Sequence, residues 1–373
     1  MSDRFRRFSD WTDIELLCDS GLASDLRPFF AGRHVADRMD GVRQAINEIR
    51  TNWDRYQTFM RDLRESFLAG GESGMVDLPE LEALFGSVKE WDSGVGGRTG
   101  DDFSAIRLYA SSVGYALIFA ALNRVFRSER LLAGSLRLRS AVFLVELLTI
   151  DLFNYRQVTP EADEFQAVVY RGMSVSDRQL RMFREATLGP VEQRYVSIPL
   201  GLASASTDYE QAASFALSQG ARDSDGRALV WKINVASLDR ESLKTYKAAA
   251  PDSIVTSICA VPIHALSPFP AEKEVLLRGP FFQMLALEAP DWRIAKGVYM
   301  LEAMMMNSNR DHLTALASNE GRDRRVRDLF RTLVAMRRAE LCADWAADRG
   351  MADDSRAYRA MALAGRRKVE SCF

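Results

Sequence analysis

Ser267-Pro268-Phe269-Pro270-Ala271-Glu272-Lys273-Glu274-Val275-Leu276-Leu277 is the stretch on which the fold turns. Two prolines fix φ and stiffen a turn, and a run of strand type follows at once. Side chains alternate along a strand, so the spacing puts Glu272 and Glu274 on one face and Lys273 on the other. Two carboxylates a few ångströms apart suit chemistry that develops positive charge at a sugar carbon. A Glu-x-Glu alone is ordinary. Glu80-Leu81-Glu82 is another, in a helical context where the two glutamates do not share a face.

Working outward, the stretch belongs to a β-rich region that begins near Thr159-Pro160 and runs to about residue 290. Its short apolar runs are FQAVVYRG, RYVSIPLGLASAS, ALVWKINV, SIVTSICAV and EVLLRGPFFQML, and turn signals such as DSDG and SPFP separate several of them. Two of these runs carry polar residues suited to a ligand. In Val168-Val169-Tyr170-Arg171-Gly172, a strand delivers an arginine followed by a glycine. Arginine is a rigid, permanently charged fork matched to phosphate, and glycine allows close approach to the backbone. An arginine at a strand end is more often a plain surface residue. In Ala203-Ser204-Ala205-Ser206-Thr207-Asp208, alternation sends Ser204 and Ser206 to one face. Thr207 and Asp208 can cap a following helix whose inner face is Ala212, Phe215 and Ala216. By themselves the serines read as turn and cap residues.

Helical texture flanks this region on both sides. Val42, Ile46, Ile49, Trp53, Tyr56 and Met60 form one apolar stripe at alternating four- and three-residue spacing. The Gly-rich stretch Ser93–Asp102 is the best linker candidate, and a second helical block follows it to about Tyr155. Val326, Leu329, Phe330, Leu333 and Val334 give another helical stripe near the C-terminal end, with Arg324, Arg325, Arg331, Arg337 and Arg338 beside it. Asp323, Asp328 and Glu340 interleave with those arginines, which reads as a solvated face.

Composition excludes several classes. In 373 residues the formal charge is −2, so no global basic field calls for nucleic acid. Cys18, Cys259, Cys342 and Cys372 lie far apart without CxxC spacing, and His34, His264 and His312 are scattered; neither a disulfide framework nor a metal site is expected. The apolar stretches Leu108–Phe126 and Ala141–Phe153 carry polar residues or are too short to span a bilayer, so both read as buried helices. MSDRFRRFSDW has no apolar core of a Sec signal. No GxGxxG follows a strand and opens a helix, which sets aside a Rossmann dehydrogenase.

Taken together, the strand-end YRG, the Ser-x-Ser with its following Ala-x-x-Phe, and the Glu-x-Glu after a turn-rich loop resemble the R-S-E signature of mono-ADP-ribosyltransferases. Order and spacing are similar to the arginine-specific branch, which includes vertebrate ecto-enzymes and bacterial toxins. IHALSPFPAEKEVLL resembles the ecto-enzyme form, and LNRVFR (Leu122–Arg127) with Ala141–Phe153 looks like the helical lobe preceding YRG there. The resemblance covers about residues 96–290.

The resemblance implies an α+β fold: two perpendicular β-sheets with a helical lobe, flanked by α-helical regions. Residues 1–95 would be an N-terminal helical region, 96–290 the catalytic domain (lobe 96–158, β core 159–290) and 291–373 a helical extension. It implies transfer of ADP-ribose from NAD, as co-substrate and without a metal, to an arginine of a target protein. Arg171 would hold the NAD phosphates, and Gly172 would make a backbone contact to nicotinamide. Ser204 would bind the nicotinamide side and orient Glu274, with Ser206 supporting the strand. Glu274 would bond the ribose 2′-hydroxyl and stabilise the oxocarbenium-like transition state. Glu272 would bind and activate the acceptor guanidinium. Arg227 would be a second phosphate arginine, with Arg222 as the other choice on its loop.

Ala205 replaces the middle threonine of the family motif and should face away from the site. A NAD glycohydrolase would use the same site with water as acceptor, Glu272 discriminating the two; a helical binding protein with a decayed site is the non-enzymatic alternative. The helical flanks would recognise the target, engage a regulatory partner or cover the site. A cytoplasmic location fits, as does export as an effector or toxin by a route without a Sec signal.

Overall fold

The computed structural model describes residues 55–68, 103–112, 136–159, 165–197, 202–220, 226–251, 255–278, 281–290, 297–310 and 320–371, with a few isolated positions before and between them. Among the described residues, three helices precede the sheet: α1 (Tyr56–Leu68), α2 (Ser104–Ala110) and α3 (Leu136–Val158). The sheet and its helices follow as β1 (Val168–Ser176), α4 (Asp177–Leu188), β2 (Tyr195–Ser197), β3 (Leu202–Ser206), α5 (Tyr209–Gly220), β4 (Gly226–Ala236), α6 (Arg240–Ala249), β5 (Val255–Thr256), β6 (Ala260–Pro262), β7 (Glu274–Arg278), β8 (Phe281–Glu288), β9 (Tyr299–Met306) and β10 (Asn309–Arg310). Two long helices close the described chain, α7 (Glu320–Asp348) and α8 (Ala352–Glu370).

The architecture is α+β. Eight strands run in the order β2-β8-β9-β4-β1-β3-β7-β6, and β5 pairs with β10 apart from them. Along most of this order the ladders are long, with nine residue pairs between β1 and β4. At β1–β3 only one pair forms, Tyr170 with Ser206. That junction is the thinnest in the eight-stranded sheet, with five strands on one side of it and three on the other. Strands that touch at one end and part at the other leave a wedge, and the wedge becomes the cavity described below.

The apolar core follows the alternation. Val169, Val175, Leu229, Trp231, Ile233, Leu301, Ala303 and Met305 share one buried cluster, capped by Leu180 and Phe183 of α4. Ser176 starts α4 with a capping box, its hydroxyl accepting the Gln179 N–H while the Gln179 side chain accepts the Ser176 N–H. Against other strand residues, α5 packs Ala212, Ala213 and Ala216 on Ala228 and Val230.

The sheet does not end at residue 290. β9 lies at its centre, parallel to β4 over eight residue pairs and antiparallel to β8. The boundary expected there, with an all-helical extension beyond it, is therefore corrected for Tyr299–Met306. The segment YMLEAMMM is built of strong helix formers, so its propensity points away from the strand that burial on both sides imposes. Beyond it, α7 and α8 are helical as expected. They pack Cys342, Ala343, Trp345, Ala346 and Tyr358 onto Leu285 and Met304 of the sheet. Leu329, Phe330 and Leu333 meet Tyr246 of α6.

Buried polar contacts fix the helical pair to the strands. Arg194 grips Asp354 of α8 through two bonds of 2.6 and 3.0 Å. Glu302 of β9, nearly inaccessible, pairs with Lys232 at 3.1 Å and with Arg349, in the turn after α7, at 2.9 Å. Burial works to raise its pKa, but hydrogen bonds from Lys232, Trp345 and Asn234, with the Lys232 charge, hold its carboxyl below the usual range.

At the other end, the α1 stripe is interrupted by a turn at Asn52, so it is not one helix. Arg139 of α3 ties this region to the lobe through Glu48 and Asp62. Among the described residues no helix is long and apolar enough to cross a membrane. Cys259 and Cys342 are buried and free, and burial pushes the Cys342 thiol up to about 12. Cys18, Cys372, His34, His312, Arg222 and the LNRVFR block lie outside the described residues.

Candidate active site

A cavity of about 730 Å³ occupies the wedge between β1 and β3, within the size range of small-molecule sites. Its walls come from five elements. The helical lobe supplies Tyr109, Ala110 and Ser112; β1 supplies Tyr170 to Ser174; β3 supplies Ser204 to Ser206. Helix α5 adds residues that include Gln211 and Phe215, and the turn before β7 with the first residue of that strand adds Phe269, Glu272 and Glu274.

Arg171 reaches across the wedge. Its Nη1 donates to the Ser204 carbonyl at 2.5 Å, so the guanidinium joins β1 to β3 where their backbone ladder has ended. Ser204 and Ser206 share a face as alternation requires, while Ala203 and Ala205 enter the core. The Ser206 hydroxyl donates to the Glu272 carbonyl at 2.6 Å and accepts the Asp208 N–H at 2.9 Å. One serine therefore ties the Glu-x-Glu turn to the start of α5.

The two glutamates are not carried by one strand. Glu272 ends a 3-10 turn, Pro270–Glu272, and Lys273 adopts the left-handed conformation with φ 48° and ψ 46°. The strand starts only at Glu274. Shared strand alternation is thus corrected: the left-handed step, not the pleat, turns both carboxylates to the cavity. A non-glycine residue pays roughly 1 kcal/mol there. Four contacts hold the turn: Lys273 N–H to Pro270 O at 3.1 Å, Thr207 N–H to Lys273 O at 3.3 Å, the Ser206 bond, and Lys273 Nζ to Asp208 at 3.2 Å.

The carboxylates differ in setting. Glu272 is exposed at the rim. Glu274 is largely enclosed, and burial raises its pKa above the ordinary carboxylate value. Its hydrogen bond from the Ser204 hydroxyl opposes that, Glu272 adds to it, and the Arg171 guanidinium opposes it.

Gly172 lines the cavity and has a second reason to be glycine besides ligand approach. A Cβ there would lie 1.9 Å from the Ala212 carbonyl oxygen, so the backbone of α5 already occupies that space. Arg227 is not brought to the cavity. It opens β4 opposite Val175 and holds Asp177 at 2.8 Å, both half exposed. Phe215 is also displaced from its expected inner-face role, since Ala212, Ala213 and Ala216 are buried while its ring is partly exposed at the cavity. Tyr109 is the wall residue that sequence reasoning passed over, because it lies in an apolar stretch that reads simply as core. No residue of α7 or α8 lines this cavity. Among the described residues no cluster of His, Cys, Asp and Glu could hold a metal ion.

No family model matches the sequence, and no curated protein matches it. The fold is similar to several solved structures. One is the Vis toxin, an ADP-ribosyltransferase from Vibrio splendidus, at 13% identity over 63% of this chain and 88% of that one, with TM-score 0.35. Another is exoenzyme S from Pseudomonas aeruginosa, in complex with human 14-3-3 protein beta and carba-NAD, at 13% identity over 70% and 92%, with TM-score 0.34. A third is a truncated type III effector XopAI from Xanthomonas axonopodis pv. citri, at 13% identity over 71% and 99%, with TM-score 0.37. Such identities and TM-scores carry no functional argument. The reading below rests on the residues of the cavity.

Proposed function

We propose that this chain is a mono-ADP-ribosyltransferase that moves ADP-ribose from NAD to an arginine of a target protein. The observation that carries the reading is that Arg171, Ser204, Glu272 and Glu274, from three separate sequence motifs, line one cavity. They meet in it with complementary chemistry: a fixed cation, a hydroxyl bonded to a carboxylate, and a second carboxylate at the rim.

In this reading Arg171 faces the diphosphate as a fork donor while it pins β3. Glu274 accepts the 2′-hydroxyl of the nicotinamide ribose and faces the positive charge that builds at C1′. The C1′–N bond to nicotinamide breaks, and the bonding pair leaves with neutral nicotinamide. An acceptor guanidine nitrogen forms the new bond to C1′. The proton it sheds passes to the Glu272 carboxylate, which is needed because free arginine stays protonated in water. The acceptor arrives from solvent, and Glu272 is the carboxylate exposed on that side. Gly172, on the cavity wall, offers a backbone contact to nicotinamide while it packs against α5, and Arg227 is not assigned to NAD.

Incubation of the full chain with labelled NAD and a protein lysate, followed by mass-spectrometric mapping, tests this. Nicotinamide release with ADP-ribose on arginine supports the reading. Release with free ADP-ribose alone would make the chain a NAD glycohydrolase, and no release would overturn the enzymatic reading.

A further inference from the structure

A line of contacts runs from the helical lobe to Glu274. Helix α2 begins at Phe103, whose side chain makes no cap, so its first N–H groups need partners from elsewhere. Asp151, buried on α3, supplies them: its carboxylate accepts the Ala105 N–H at 2.8 Å and the Ile106 N–H at 3.3 Å. One turn further along α2, the Tyr109 hydroxyl lies 3.4 Å from Ser204 Oγ. Ser204 and Glu274 share the cavity wall, and the Ser204 hydroxyl acts to lower the Glu274 pKa. Direction follows from the carboxylate end. An ionised carboxylate only accepts, so Ser204 spends its single proton on Glu274 and Tyr109 must donate to Ser204. The separation is long for two hydroxyls, and such bonds shorten when a site closes on its ligand.

We propose that Tyr109 is a positioning residue for Glu274, acting through Ser204, and that Asp151 sets its place by holding α2. The proposal rests on the reading of Glu274 as the catalytic glutamate. A hydroxyl that accepts one hydrogen bond donates a stronger one. The chain of bonds therefore fixes the Glu274 carboxylate and favours its ionised form. Around Glu274 stand Arg171 from β1, Ser204 from β3, Glu272 from the turn and Tyr109 from α2. Of these, Ser204 and Arg171 hold its pKa down, while burial and Glu272 push it up. Loss of the Tyr109 hydroxyl weakens the Ser204 contribution, so the pKa of Glu274 rises.

Full-length Tyr109→Phe keeps the ring and removes the hydroxyl. The acid limb of nicotinamide release should move to higher pH, with kcat down about tenfold and KM for NAD changed less. Asp151→Ala should act in the same direction, and Asp151→Asn, which keeps an acceptor oxygen, should restore most of the rate. Carbon NMR of the Glu274 carboxyl should show the same upward shift in Tyr109→Phe without any turnover. Coincident Glu274 titrations and acid limbs in the two proteins would overturn the proposal. So would a lower melting temperature with kcat per folded molecule unchanged. A wild type whose Glu274 titrates as described, but which releases no nicotinamide, would uphold the positioning role and overturn the transferase reading instead.

Discussion

Gly172→Ala separates two reasons for a glycine at the site. The added Cβ would sit 1.9 Å from the Ala212 carbonyl oxygen and 2.9 Å from both the Ala212 carbonyl carbon and the Ala216 nitrogen. Real Cβ atoms essentially never come within 3.0 Å of such neighbours. All three are backbone atoms of one helix, so no side chain can swing aside. Strand β1 and helix α5 must part by roughly 1 Å, in an interior packed as densely as a crystal. Overpacking of this kind costs about 3 kcal/mol, the upper end of its usual range. For a domain of this size that lowers Tm by roughly 6–12 °C. Gly189→Ala is the control, since its added Cβ would meet nothing nearer than 3.5 Å and its φ of −69° suits alanine. It should be neutral or gain up to ~1 kcal/mol through a less flexible unfolded chain. Thermal melts of both variants, with KM for NAD measured beside them, decide the matter. If Gly172→Ala melts with the wild type while KM for NAD rises, the glycine serves ligand approach and the packing argument fails.

Glu274→Gln should nearly abolish both ADP-ribosyl transfer and NAD hydrolysis, because it removes the charge facing C1′; wild-type nicotinamide release in the variant would refute this. The same variant should melt higher than wild type at neutral pH. The raised pKa of Glu274 means that the folded state holds more protons than the unfolded one, so stability falls as pH rises through that window. The gain from Gln should vanish at a pH below the unfolded value, and a melting curve can follow it. Glu272→Gln should lose transfer to arginine yet keep NAD hydrolysis, since Glu272 stands exposed at the rim and away from the buried carboxylate; undiminished modified arginine would exclude it as the acceptor-side group. Asp354→Ala should cost about 3–5 kcal/mol in denaturant melts by leaving Arg194 without its ion-pair partner, with the cavity residues untouched. Stability within about 0.5 kcal/mol of wild type would mean that α8 is not braced there.

What was legible in the sequence was the part that local rules control. Alternation placed Ser204 and Ser206 on one face and sent Ala205 into the core, and Asp208 does receive the start of α5. The Glu-x-Glu turn was legible as a turn from its prolines, yet the left-handed Lys273 was not. Nothing in the residue type announces it, and three of its four contacts come from Ser206, Thr207 and Asp208, distant in sequence. The same limit explains Arg227. Its sequence neighbourhood offers two arginines on a loop after the serine motif, but the pairing of β4 with β1 delivers it to Asp177. β9 shows the limit most plainly, because burial between β4 and β8 overrides the propensity of YMLEAMMM.

This placement of β9 changes what the C-terminal helices can be. Glu302 is buried in the middle of β9, and its charge is balanced by Lys232 from β4 and Arg349 from the turn between α7 and α8. Removing α7 and α8 would strip that carboxylate of one of its cations and bare Leu285 and Met304. A detachable cover over the active site would not be built into the core in this way, and none of its residues reaches the cavity. The lobe is the opposite case. Arg278 of β7 donates to Thr149 of α3 at 2.8 Å, and Tyr109 meets Ser204 of β3, so two polar contacts join the lobe to strands that wall the cavity. Control of the site therefore has a physical route through α2 and α3, whereas a perturbation of α8 should act first on stability.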